Sequence, residues 1–418
     1  MERMTPPAPT GFRPVPRTGV LYVMEEAGKR GFRPGSPDWA NLGQGAPETG
    51  PLPDGPERIR TVAFEDEDHE YAPVDGLGEL RDAVAELYNS RYRRGRRSRY
   101  TRENVAIVSG GRLALTRVVS TLGRTNIGHF LPDYTAYEEL LDSFGTFVAI
   151  PVLLDTDRGY EFSVPELRAE ILGRGLSAML LSNPGNPTGK LVTGDELSQW
   201  LAIARDVSCT MIFDEFYSHF IYDGRPSVSA AEFVEDVDED PVVILDGLTK
   251  NWRYPGWRVA WTVGPRRMIE SLASAGSFLD GGCARPIQRA AIPLLDPELA
   301  DREAASIQAA FAPKRAGMIA RLEELGIAVR PEPAGSFYCW GDLSGLPDGL
   351  RTGGELFPAC LEEGLITVPG RFFDVNPGQR RPDRPSRFQS FARFSFGPPQ
   401  EEIDRGLEKL ARVVAKAK

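Results

Sequence analysis

Residues 182–190 read SNPGNPTGK and directly follow the apolar run LSAMLL at 176–181. Two prolines, two asparagines and two glycines keep this stretch out of a helix interior or a central strand. The apolar run before it reads as a buried strand. Together they predict a strand whose carboxyl end opens into a rigid turn rich in hydrogen-bonding groups. In open parallel sheets that is where ligands bind. The prolines fix the backbone there, so that the Asn186 side chain can project at a set height.

Working outward, six more runs read as strands: NVAIVS (104–109), IGHFL (127–131), FVAIPVL (147–153), CTMIF (209–213), VVILD (242–246) and RVAWTV (258–263). Their apolarity is continuous rather than alternating, which argues for burial on both faces. Helix-length segments separate them; in one, Leu77, Leu80, Val84 and Leu87 make a single apolar stripe. The alternation predicts an α/β fold, a mainly parallel sheet with helices on both faces. After residue 295 the pattern changes. A long helical stretch (297–325) precedes FYCW (337–340), a helix near 353–364, a strand within FARFSF (391–396) and a last helix with Ile403, Leu407, Leu410 and Val414 on one stripe. This reads as a smaller α+β domain. The expected division is an N-terminal arm and part of the small domain at 1–60, a large domain at 61–295 and the small C-terminal domain at 296–418. The stretch NPGQRRPDRPSR (376–387) reads as a surface loop.

Composition narrows the partners. The 418 residues are 41 % hydrophobic and 26 % charged with net charge −10, a soluble globular balance with no general attraction to nucleic acid or anionic membrane. No apolar run approaches the roughly 20 residues of a membrane span, and MERMTPPAPTGFRP at the start lacks the apolar core of a secretory signal. The cysteines (Cys209, Cys283, Cys339, Cys360) and histidines (His69, His129, His219) form no metal-binding spacing, so a reduced cytoplasmic protein without a metal site is expected. Any catalysis should rest on something other than histidine. The arginine-rich RYRRGRRSRYTR (91–102) reads as the solvated end of a helix and a surface loop rather than a nucleic-acid patch, because the rest of the chain is acidic.

Polar residues take over at the strand ends. SGGR (109–112) opens a helix, PDYTAY (132–137) comes after the second strand, DEFY (214–217) after the fifth and DGLTKNWRYPGWR (246–258) after the sixth. Alone, each has a plain structural reading: a helix cap, a turn, a surface acid, a solvated lysine. Sharing one sheet edge, they offer an anion hole, an aromatic ring, an amide, a carboxylate and a lysine. That inventory matches pyridoxal 5'-phosphate, which has a phosphate, an aromatic ring, a phenolic oxygen, a basic ring nitrogen and an aldehyde.

These motifs, with ARFSFG (392–397), resemble the class I/II aminotransferase family of fold-type-I pyridoxal-phosphate enzymes, in the family's order and over residues 39–397. The resemblance implies an aminotransferase moving an amino group between an L-amino acid and a 2-oxo acid. It implies Lys250 as the lysine that carries the cofactor and later the proton, Asp214 as the partner of the ring nitrogen, and Tyr217 and Asn186 as donors to the phenolic oxygen. Tyr134 should lie on the ring face. Gly110, Gly111, Arg112 and Arg258 should hold the phosphate, and Arg393 the substrate α-carboxylate. Tyr71 resembles a tyrosine that reaches the neighbouring subunit's phosphate, which implies a homodimer with shared active sites. Gly45, in NLGQGAP (41–47), is expected beside the substrate. Arg285 is a candidate reader of a distal anionic group, or else merely the cap of the helix beginning at Pro286.

Two positions depart from the family. Gly247 stands where serine or threonine commonly bonds the phosphate, and Thr249 or a backbone amide could replace it. Ala260 stands where glycine is common. The same parts also serve a lyase, a β- or γ-replacement enzyme or an oxidase acting on an amino acid or S-adenosylmethionine. They also occur in cofactor-sensing regulators, although those carry a DNA-binding domain ahead of this part.

Overall fold

The computed structural model describes residues 11, 12, 15, 17–381 and 384–418. All seven expected strands form and join one sheet: β1 (Val105–Val108), β2 (Asn126–Leu131), β3 (Val148–Leu153), β4 (Leu176–Ser182), β5 (Thr210–Asp214), β6 (Val242–Gly247) and β7 (Ala260–Val263). Their order across the sheet is β1-β7-β6-β5-β4-β2-β3. Pairings are parallel except those of β7, which runs antiparallel to both β1 and β6. The six other strands therefore point their carboxyl ends to one edge. The central strands are buried along nearly their whole length, which accounts for their unbroken apolarity.

The helices bury the faces that their periodicity selects. In Gly194–Val207, Leu197, Trp200, Leu201 and Ala204 recur at three- and four-residue spacing and are all buried. Val164–Arg174 starts on a capping box, Ser163 with Glu166, and ends at Gly175 in the left-handed conformation.

Beyond residue 295 the long helix Pro297–Glu324 starts on Asp296, whose side chain accepts from the backbone N–H groups of Glu298 and Leu299. A second sheet runs in the order Val368–Pro369, Phe391–Ser395, Tyr338–Asp342, Ala328–Val329, all antiparallel. The early segment Ala40–Asn41 pairs parallel with Leu365–Ile366, so the start of the chain crosses to this region. The arginine-rich stretch is less solvated than its composition suggests. Arg93 is fully buried and donates to the carbonyls of Ala231 and Val234 at 2.9 and 2.8 Å, and Arg91 is held in an ion pair with Asp301 at 2.9 Å. Among the described residues, no helix is long and apolar enough to cross a membrane.

Candidate active site

The carboxyl ends of β1, β2, β4, β5 and β6 meet around a cavity of about 310 Å³. Its wall includes Gly111, Arg112, Tyr134, Asn186, Asp214, Tyr217, Thr249, Lys250 and Arg258. Residues spread from 111 to 258 thus converge because parallel strands deliver their carboxyl ends to one edge.

Asp214, the last residue of β5, is buried. Its Oδ2 accepts from the Tyr137 hydroxyl at 2.9 Å, and its Oδ1 from the Phe216 N–H at 3.5 Å. Burial pushes its pKa up to about 6, against the lowering effect of those bonds and of the Lys250 charge. Lys250 donates to the Gly45 carbonyl. Withdrawal from water, then the charges of Arg393, Arg112 and Arg258, bring its pKa down to about 7, opposed by Asp214.

Asn186, in the turn after β4, sits at a junction. Its Nδ2 donates to the Tyr217 hydroxyl at 3.4 Å and its Oδ1 accepts from Arg393 Nη1 at 2.9 Å. Its own N–H donates to Ser182 Oγ at 3.1 Å, which fixes the turn against the strand end. The Tyr217 hydroxyl lies 3.1 Å from that of Tyr338, and burial holds its pKa well above the usual phenol. Arg393 is fully buried. Its Nη2 donates to the Gly43 carbonyl at 3.0 Å, and its guanidinium lies 4.0 Å from the Tyr338 ring centre. Among the described residues no carboxylate pairs with it. A buried cation held only by neutral groups suits an anionic ligand.

The anion end is built on glycine. Gly110 precedes the helix Gly111–Thr121 at φ 93°, and a Cβ there would strike the Arg258 guanidinium; one at Gly111 would lie 2.6 Å from the Phe216 ring. Arg112 and Arg258 stand exposed at the cavity mouth, and Arg112 Nη2 donates to the Tyr134 hydroxyl at 3.4 Å.

The two departures at 247 and 260 stand face to face. Gly247 on β6 pairs in register with Ala260 on β7, and a Cβ at 247 would lie 2.6 Å from Ala260 Cα and 2.6 Å from the Val259 carbonyl oxygen. The backbone at 259–260 leaves position 247 no room for a side chain, whatever stands at 260. Nearby, Thr249 Oγ1 is buried without a hydrogen-bond partner. An orphaned hydroxyl beside two arginines and a helix N-terminus fits a phosphate, and the buried carboxylate at 214 fits a basic ring nitrogen.

Two expected residues lie outside this cavity. Tyr71 is 97 % exposed. Arg285 begins the helix Arg285–Ala291 and forms an ion pair with Glu67 at 2.7 Å, away from the cavity of its own chain. Sequence reasoning missed Tyr137, Tyr338 and the Gly43 carbonyl. Tyr137 was findable, since it stands one helical turn after Tyr134 in the same PDYTAY stretch. Tyr338 carried no signal beyond its place in a strand.

Fold and cavity together define a fold-type-I pyridoxal-phosphate enzyme. The structure aligns with a Thermus thermophilus aspartate aminotransferase solved with maleate at TM-score 0.78 and 22 % identity, over 96 % of this chain and 100 % of that one. The model of the aminotransferase class I and II family matches residues 37–410, and the chain belongs to that family. Its relatives include an aspartate aminotransferase of Streptomyces avermitilis, 25 % identical over 84 % of this chain and 83 % of the relative. An aspartate/prephenate aminotransferase of Thermus thermophilus is 26 % identical over 83 % of this chain and 84 % of that protein. The activity is accordingly that of an aminotransferase, with pyridoxal 5'-phosphate as its cofactor.

Proposed function

We propose that this enzyme moves the amino group of an L-amino acid to a 2-oxo acid with Lys250 as its proton carrier. The observation that carries this reading is the meeting of Lys250, Asp214, Asn186, Tyr217 and Arg393 at one cavity edge. Asp214 would hold the cofactor ring nitrogen, Asn186 and Tyr217 its phenolic oxygen, and Tyr134 its ring face. Gly110, Gly111, Arg112, Thr249 and Arg258 would hold the phosphate. When bound, the cofactor supplies an aldehyde that takes up the amino group and a protonated ring that draws electrons from the substrate Cα–H bond.

The chain's own groups do the rest. Arg393 grips the substrate α-carboxylate, which sets the direction of the Cα–H bond, with Gly45 alongside. Lys250 Nζ, with a pKa near 7, is suited to accept that proton from Cα and to hold it for return. A cationic ring nitrogen held by Asp214 would keep that carboxylate ionised, and Tyr217 stays a donor because its hydroxyl holds its proton.

Two copies complete the site. Tyr71 and Phe64 are exposed on the same irregular segment, at 97 % and 65 %, which suits a surface that reaches a second copy of the chain. In that homodimer Tyr71 serves the neighbour's phosphate, and Arg285 stands near the substrate's far end. The setting is cytoplasmic. The separate antiparallel sheet beyond residue 295 supports a large unit at 61–295 and a small one at 296–418, which the first 60 residues join in part through the pairing of Ala40–Asn41 with Leu365–Ile366.

The test is a panel of L-amino acids incubated with and without 2-oxoglutarate, scoring oxo acid, ammonia and peroxide separately. Sustained oxo-acid formation only with the acceptor is expected. Ammonia or peroxide released without it would contradict the reading.

A further inference from the structure

A second polar cluster lies behind the cavity, on the turns that carry Asp214 and Lys250. Glu215 and Asn251, their next residues in the chain, do not line the cavity. Asn251 is fully buried. Its Nδ2 reaches the Glu215 carbonyl at 3.0 Å, Ser218 Oγ at 3.0 Å and Asp246 Oδ1 at 2.7 Å, while its Oδ1 accepts from the His219 N–H at 3.0 Å. One side chain thereby ties the 214–219 turn to the 246–251 turn.

His219 is the next link and is also fully buried. Its Nδ1 lies 2.8 Å from the Asn251 carbonyl oxygen and its Nε2 lies 2.8 Å from Arg91 Nη1. A guanidinium can only donate, so Nε2 accepts and Nδ1 carries the proton to the Asn251 carbonyl. The neutral ring also agrees with its surroundings, since burial and then the Arg91 charge hold its pKa well below the ordinary value. Arg91 is anchored in turn by Asp301 at 2.9 Å, on the long helix 297–324.

We infer that His219 and Asn251 are positioning residues for Lys250. Arg91 selects the imidazole tautomer, the imidazole fixes the main chain of Asn251, and the Asn251 amide sets the lysine against Asp214 and Tyr217. This rests on Lys250 being the cofactor lysine. Neither residue touches the cavity, so each acts only through the chain that bears Lys250, whose charged surroundings are Asp214, Arg393, Arg112 and Arg258.

The experiment uses the holoenzyme of wild type, His219→Phe, His219→Asn, Asn251→Ala and a core control, Val413→Ala. It records melting temperature, kcat, KM and the pH midpoint of the bound cofactor's visible absorbance. His219→Phe and Asn251→Ala should move the midpoint by about half a pH unit or more and lower kcat about 10- to 100-fold, with KM within about twofold. His219→Asn, whose amide can donate to the same carbonyl, should keep the midpoint near wild type. Val413→Ala should lower the melting temperature alone. If His219→Phe does not fold, Arg91→Met takes its place, since it releases the tautomer while keeping the ring. An unmoved midpoint and kcat in the folded variants, with only stability lost, overturns the inference. Borohydride labelling of each variant separates the two failures: label away from Lys250 defeats the underlying reading, whereas label on Lys250 with an unmoved midpoint defeats only this one.

Discussion

On the cavity side of the turns at 214–217 and 249–250, two buried polar atoms have no protein partner and one bond is long. Thr249 Oγ1 and Arg393 Nε are buried and unbonded, and the contact of Asn186 with Tyr217 is 3.4 Å long. On the rear side, the neighbours in sequence are closely bonded, with Asn251, His219 and Asp246 joined at 2.7–3.0 Å. Asp214 ends a strand, where successive residues point to opposite sides, whereas Lys250 and Asn251 part within a turn. Asp214 and Lys250 line the cavity, while Glu215 and Asn251 do not. The difference teaches how rigidity and openness coexist within one turn: bonds completed behind it hold groups in front that are left for a cofactor.

The largest break on the front side should come from Asp214→Asn. It keeps the shape and the Tyr137 contact but removes the charge opposite the ring nitrogen, and kcat should fall about 100- to 1,000-fold in steady-state assays. Unchanged kcat would mean that the carboxylate faces nothing that needs it. Next, Thr249→Val removes the orphan hydroxyl without changing its bulk. The cofactor dissociation constant, read by fluorescence titration of the apoenzyme, should rise about tenfold; a constant affinity would leave the phosphate to the arginines and the helix end.

The rear side also predicts an effect on stability. Burial pushes Glu215 up to about 8 from an ordinary 4.5. Between those values the folded chain keeps a proton that the unfolded chain releases, so this group's contribution to stability falls as pH rises from 4.5 to 8. Glu215→Gln should remove that part of the slope and gain on wild type by about 3 kcal/mol between pH 5 and pH 8 in urea unfolding. A parallel pH dependence in both proteins would place the ionised form of Glu215 in the fold.

Much of this was legible in the sequence. The seven strands announced themselves because strands buried on both faces must be apolar throughout, and the Pro/Asn/Gly turn announced which edge was functional. The antiparallel course of β7 was not legible, since a buried strand reads the same in either direction. The rear cluster was hidden for a different reason. His219, Glu215 and Asn251 look like solvated polar residues beside a motif, and only their packing within the fold, His219 against Arg91 and Glu215 under Ala230, removes them from water. Gly247 and Ala260 read as two separate oddities until strand pairing set them face to face.

The central claim is that Lys250 is the group that binds the cofactor covalently. Borohydride reduction of the holoenzyme, then proteolysis and mass mapping, tests it directly. The account predicts a pyridoxyl label on the peptide containing Lys250 and none in Lys250→Ala. A label on another lysine, or undiminished labelling of that variant, would contradict it.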